Sequence, residues 1–423
     1  MTGAGKRIAA IIGGSAGNLV EWYDWFAYTA FSIYFAPAFF PGGDQTSALM
    51  QTAAVFAVGF FARPLGAWGL GLVADHAGRR TALALSVGMM GVGSLIVALL
   101  PTHQAIGAAA PVVLVLTRLL QGLSIGGEYG ASATYLSEMA GARRRGLLAS
   151  FQPLSLIGGQ LLALAVLIAL QGLLTPPQLR AFGWRIPFAI GAALAFGLFF
   201  VQRRLAETPA FEAVRGKARE RSVSLTLLRE HPRECAMVMA FTAGGSLAFY
   251  VYTVYLQVFL TNSGHFSKAA ASRISAAALV IFFLIQPLGG WLSDRVGRRP
   301  ILAGGFLLTA ALTWPVMTGL ATTTSAWVAF ALTLAALIAL TGYSSVNALV
   351  KAELFPSEVR GLGVALPFAL ANAVFGGTAE FIALAFKKSG NESAFFVYAS
   401  VILAIAGVTA LRMRESRVAG LIG

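Results

Sequence analysis

About twelve apolar runs, most of them twenty residues or longer, occupy the greater part of this 423-residue chain and leave little choice of fold. They cover 11–39, 49–74, 82–101, 108–138, 146–171, 184–203, 235–261, 271–293, 301–321, 326–352, 361–386 and 393–412. An apolar run of about 20 residues crosses the hydrocarbon core of a bilayer as a helix. In that medium the backbone must satisfy its own hydrogen bonds, which leaves only helices and closed barrels. The runs lack the alternation of a barrel strand and outlast the roughly 9–11 residues that such a strand needs. An all-α membrane protein with 12 transmembrane helices is therefore expected. Composition agrees: 57% of residues are hydrophobic and 11% charged, where soluble domains carry roughly 25% charged.

The net charge of +14 raises the question of a nucleic-acid partner, and its placement answers it. With both termini cytoplasmic, 22 of the 31 Lys and Arg fall on cytoplasmic segments: Lys6–Arg7, Arg79–Arg80, Arg143–Arg145, the 203–234 loop, Arg295–Arg299, Arg360 and the tail from Arg412 to Arg417. Arg180, Lys268, Arg273, Lys387 and Lys388 fall on the other side. This asymmetry is the positive-inside rule. It points to a lipid bilayer as the partner, and to no nucleic acid. The first apolar run is too long for a signal-peptide core and contains Asp24, so it reads as a span. The single cysteine, Cys235, rules out an internal disulfide and reads as an inert thiol.

The hydrophilic stretch 203–234 holds 13 charged residues and separates six runs from six. It divides the chain into a bundle at 1–203, a cytoplasmic linker at 204–234 and a second bundle at 235–423. The halves repeat each other. The pattern G-x-x-x-D-x-x-G-R-R occurs at Gly71–Arg80, with Asp75, Arg79 and Arg80, and again at Gly290–Arg299, with Asp294, Arg298 and Arg299. A second pair, Glu138 with Arg145 and Glu353 with Arg360, recurs at nearly the same offset. Parallel repeats of this kind build secondary transporters whose substrate site lies between halves near the midplane. An Asp at a cytoplasmic helix end, facing arginines, can latch in one state and release in another, which is the bistable element of a gate. These ten residues are the gate candidates.

Charges inside a span cost about 2.5–3.5 kcal/mol each on insertion scales, so those that persist are functional candidates. Arg63 stands in Ala-Arg-Pro-Leu-Gly, where the second half has Gln286-Pro-Leu-Gly. A guanidinium peculiar to one half suits a carboxylate through two parallel hydrogen bonds; the alternative is a structural pair with Asp24 or Glu21. Arg118, Gln121, Ile125 and Glu128 line one helix face, and the repeat places Thr333 and Tyr343 opposite the two charges. Glu128 reads as a proton site or as half of a static ion pair. Glu21 and Asp24, three apart, share a face and can share protons. Tyr250 and Gln257 are seven apart and should face the same way, either toward a substrate or in an interfacial aromatic belt. Lys351, Asn347 and Asn372 add polarity in the later spans, and Glu380, toward an outer end, can snorkel to the interface. Prolines at 64, 153, 187, 287 and 367 and Gly-Gly pairs at 126–127, 158–159 and 376–377 suit kinked, closely packed helices.

Other chemistry finds no support. The four histidines lie in loops or at span ends and do not cluster, so no metal site is expected. No P-loop pattern occurs, which disfavours ATP-driven transport. The chain is not expected to be an enzyme or to need a cofactor; protons are the expected coupling ion.

The stretches Gly17-Asn-Leu-Val-Glu21-Trp-Tyr-Asp24-Trp25, Arg118-Leu-Leu-Gln-Gly-Leu-Ser-Ile-Gly-Gly-Glu128-Tyr-Gly and Lys351-Ala-Glu353-Leu-Phe-Pro resemble the metabolite:proton symporter branch of the major facilitator superfamily. The resemblance runs from about residue 10 to about residue 410. It implies two pseudo-symmetric six-helix bundles in a bacterial inner membrane and proton symport of a dicarboxylate such as α-ketoglutarate. The branch also includes carriers of citrate, shikimate, proline and betaine. A nutrient receptor in a transporter fold is the rival from another class. The resemblance carries Asp75 and Arg79 as gate residues and Arg63, Arg118 and Glu128 as site residues. Combined with the polar pattern, the expected substrate contacts are Arg63, Arg118, Tyr250, Lys351 and Asn372. The expected proton sites are Asp24, Glu128 and Glu21. A monomer is expected.

Overall fold

Sequences this apolar put their backbone into helices, and the described residues contain no strand. The computed structural model describes residues 3–77, 79–126, 145–203, 230–356 and 359–415, with side chains for these except at 3–17, 71, 74–76 and 79. Ten helical stretches among them are long and apolar enough to cross a membrane. With the long first helix and the shorter Ala109–Ile125, they account for the twelve runs of the sequence.

The chain divides into two compact units. The first comprises Met1–Pro41, Val58–Glu128 and Gly158–Arg221. It draws on α1 (Gly3–Phe39), α2 (Gln45–Ala77), α3 (Arg79–Leu99), α4 (Ala109–Ile125), the later part of the helix Gln152–Leu173, and Ile186–Gln202. Within it α3 packs on α4 and on Ile186–Gln202, which also packs on α1. The second unit comprises Gly42–Ala57, Tyr129–Ile157 and Ser222–Gly423. Its helices are the short α5 (Arg145–Ala149), then α6 (Pro232–Tyr250), α7 (Leu256–Asn262), α8 (Lys268–Val296), α9 (Arg298–Thr322), α10 (Ala326–Ser344), α11 (Asn347–Glu353), α12 (Arg360–Ala371), α13 (Ala379–Lys388) and α14 (Glu392–Leu411). Here α9 packs on α10 and α14, α8 on α10 and α5, and α6 on α14.

Large apolar side chains on the outer faces, such as Leu65, Trp68, Leu284 and Leu288, remain exposed. In water that would be a liability; in a bilayer it is the lipid-facing surface. Pro64, Pro287 and Pro367 lie inside helices as expected. Pro187 and Pro153 do not: each falls in the first two positions of its helix, where the missing N–H costs nothing. Two spans are instead interrupted by single π-turns, Val251–Tyr255 and Asn372–Gly377.

Candidate functional site

The two deep guanidiniums of the first unit converge on one aromatic side chain. Asp24, on α1, is wholly buried. Its Oδ2 accepts a hydrogen bond from Gln121 Nε2 of α4 at 2.6 Å, and its Oδ1 accepts one from the Ser94 hydroxyl of α3. Three helices thus each supply one polar group. A Cβ at Gly191 would come within 2.5 Å of the same carboxylate, so that helix approaches only because it has none. Arg118 lies one turn before Gln121 and is also wholly buried. Its guanidinium sits 3.9 Å over the Tyr28 ring and 5.7 Å from that of Trp25. Asp24 is near enough for the two charges to interact. Yet no guanidinium nitrogen of Arg118 hydrogen-bonds to a described residue.

Arg63 stands on α2, 7% exposed, 4.4 Å from the Trp25 ring and 3.9 Å from that of Phe60. Trp25 therefore neighbours both guanidiniums. Small residues make this possible. A Cβ at Gly122 would run into the backbone oxygen of Gly59, and one at Gly126 into that of Arg63 itself. The expected alternative of a pair between Arg63 and Asp24 is not realised, because Ser94 and Gln121 occupy the Asp24 carboxylate. Glu21 is held separately: its Oε1 accepts from Ser86 Oγ at 2.9 Å, and Ser86 is tied to Ser124. Sharing a helix face does not give the two carboxylates the same partners. Glu128 lies outside the described residues.

In the second unit Tyr250 and Asn372 come together around Gly376, where a Cβ would meet Asn372 Oδ1 at 2.5 Å and the Tyr250 ring at 3.0 Å. Tyr250 also packs edge-on against Phe56. Its buried position excludes an interfacial belt, and Tyr252 and Tyr255 are buried with it. The expected shared face of Tyr250 and Gln257 is lost. The π-turn between them advances the phase, and Gln257 instead donates to Ser272 Oγ at 3.0 Å. Lys351 is fully buried, with its Nζ 3.3 Å from the Tyr343 hydroxyl and 4.6 Å from the Phe368 ring. Glu380 does not snorkel: it is 5% exposed.

Several gate candidates form one network. Asp294 accepts from the backbone N–H of Gly146 at 2.8 Å and of Leu147 at 2.9 Å, capping α5, and pairs with Arg298 at 2.8 Å. The other side of Arg298 is 3.8 Å from Glu353. Arg360 Nε donates to the carbonyls of Ala352 and Phe355. Arg299 and Arg80 are exposed, and Arg145 is half-buried. The side chains of Asp75 and Arg79, and all of Glu138, lie outside the described residues. Sequence reasoning missed Glu415, whose carboxylate accepts from the N–H groups of Arg298 and Arg299 at 2.8 and 3.0 Å. It missed Ser94 too, because a lone serine in an apolar run carries no periodic signal.

This arrangement and the repeat match a known family. Residues 9–235 and 223–422 each match the model described as sugar (and other) transporter. The chain belongs to that family of the major facilitator superfamily. Among its relatives, the alpha-ketoglutarate permease of Escherichia coli is 48% identical over 410 residues, 97% of this transporter and 94% of the permease. The citrate-proton symporter of Klebsiella pneumoniae is 36% identical over 413 residues, 97% and 92% of the two chains. The proline/betaine transporter of Escherichia coli is 28% identical over 97% of the chain and 84% of its own length. The fold matches the partially occluded inward-open structure of the Escherichia coli xylose transporter XylE, with a TM-score of 0.76 at 20% identity, over 96% and 97% of the chains. The resemblance seen in the sequence is thus confirmed, and the chain is a multi-pass membrane transporter.

Proposed function

We propose that the chain is a secondary active transporter that carries a small dicarboxylate of the α-ketoglutarate type together with protons, by alternating access. One observation carries this reading: a wholly buried guanidinium, Arg118, keeps all of its donors unspent while a carboxylate, Asp24, sits close by. A fork of N–H groups in a dry, aromatic setting suits a carboxylate guest. Arg63, which also lies against Trp25, offers a second cation for a second carboxylate. The likeness to the permease and to the citrate-proton symporter supports both the substrate class and the proton.

The coupling follows from charge. When Asp24 takes a proton, Arg118 loses its neighbouring negative charge and its attraction for an anionic guest rises. When the guest leaves, Asp24 gives the proton up on the same side. Inward movement of a dianion against a negative interior needs more than two protons to gain from the membrane potential. The Asp294–Arg298–Glu353 network serves as the cytoplasmic latch. The setting is a bacterial inner membrane, with both termini cytoplasmic and the chain acting as a monomer.

Counterflow into proteoliposomes, with α-ketoglutarate, citrate, shikimate and proline as competitors, tests the substrate class. Competition by the dicarboxylate is expected. Competition by proline alone would overturn it, and binding without uptake would make the chain a receptor.

A further inference from the structure

Among the described residues of the second unit, Glu380 is a deep carboxyl that the reading above leaves idle. It opens α13 just after the π-turn Asn372–Gly377 and is 5% exposed. It makes no hydrogen bond or ion pair with a described residue. The cations within reach along its own helix are Lys387 and Lys388. Lys387 is already spent: its Nζ donates to Asn262 O at 2.8 Å and Ser263 Oγ at 2.6 Å, and lies 3.8 Å from Glu392. Lys388 is exposed.

Among the described residues, the elements that pack most against α13 (the two π-turns, α14 and α6) bring no other cation to this end of it. The π-turn Val251–Tyr255, which packs on α13, presents Tyr252, bonded to Thr313, and Tyr255. On α14 stand Glu392 and Tyr398, and α6 contributes Tyr250 at this end. Tyr255 donates to Glu392 at 3.3 Å, and Glu392 is partly exposed. Oxygen groups therefore lead from the surface inward to the buried carboxyl. An ionised carboxylate with neither counter-ion nor donor is costly in a low-dielectric interior, and such groups are carried neutral.

We propose that Glu380 is a second proton-carrying carboxyl of the transport cycle, housed in the second unit and loaded from the outer side past Glu392 and Tyr255. This rests on the symport reading and deepens it. With Asp24 carrying one proton and Glu380 another, a dianion crosses without net charge. On the outer side hydronium gives its proton to one carboxylate oxygen of Glu380 and departs as water; on the inner side, after substrate leaves, that O–H breaks and a water takes the proton as hydronium.

The test is the proton-to-substrate ratio, read from reversal potentials in proteoliposomes holding wild type, E380Q or E380D. Counterflow at equal pH, which needs no net proton movement, checks folding and binding. The expected result is a ratio lower by one in E380Q with counterflow kept within about threefold, and the wild-type ratio in E380D. An unchanged ratio in E380Q would overturn the proposal and leave symport intact. Loss of counterflow in both variants would also overturn it, by assigning Glu380 to binding or packing. Wild-type uptake indifferent to a proton gradient would instead refute the symport reading beneath it.

Discussion

At Arg118 the proposed binding energy sits in the shape of one side chain. A guanidinium offers two parallel donors to a carboxylate, whereas an ammonium is a point charge on a flexible stem. Charge-assisted hydrogen bonds contribute about 1.5–3 kcal/mol each, and each ~1.4 kcal/mol is a factor of ten. Arg118→Lys is therefore expected to lower uptake kcat/KM by about 10- to 100-fold while the protein still purifies folded. Wild-type kinetics would exclude Arg118 from the site. Asp24 makes a different prediction. Asparagine preserves its size and can accept from Gln121 through its Oδ1 while its Nδ2 donates to Ser94 Oγ, but it cannot cycle a proton. Asp24→Asn should weaken accumulation driven by a pH gradient and spare counterflow. Accumulation as steep as that of the wild type would remove Asp24 from coupling.

At the scale of helices, α2 and α4 touch backbone to backbone. A Cβ at Gly66 would enter the Leu123 backbone, and one at Gly122 the Gly59 carbonyl. Without a hydrophobic drive between helices in lipid, such close approach is how spans associate. Overpacking costs about 1–3 kcal/mol, so Gly66→Val should lower the thermal midpoint in detergent by several degrees. Gly69→Ala, a position with open space around it, should leave it unchanged. Equal midpoints for both variants would show that the contact is not tight. The π-turns act at the same scale. Each rotates the rest of its span, which is why Tyr250 and Gln257 address different neighbours and why Asn372 meets Tyr250 at Gly376.

For the molecule as a whole, the charge asymmetry of the loops predicts orientation. With Cys235 replaced by Ser, a cysteine at Lys388 should react with a membrane-impermeant maleimide from outside intact cells. A cysteine at Arg299 should react only after permeabilisation. The reverse pattern would invert the topology. The Asp294 network belongs to this scale too. One carboxylate holds the N-terminus of α5 and the guanidinium of Arg298 together, so any state in which α5 leaves must break both of its hydrogen bonds to Asp294 at once. Such a cluster favours two discrete arrangements over a continuum.

Length and hydropathy of the runs were enough to determine the helices, their number and the membrane, because lipid permits no other backbone solution. The repeated G-x-x-x-D-x-x-G-R-R was likewise enough to mark Asp294 and Arg298 as gate candidates, and the persistence of charge inside apolar runs to mark Asp24, Arg63 and Arg118 as site candidates. Tertiary structure alone decided their company. That Trp25 stands beside both guanidiniums, that Ser94 and Gln121 take the Asp24 carboxylate, and that Arg118 is left with its donors unspent depend on how α1 to α4 pack. Partners from separate helices leave no common period in a sequence, and a single π-turn shifts a face without changing the hydrophobicity that periodicity reads.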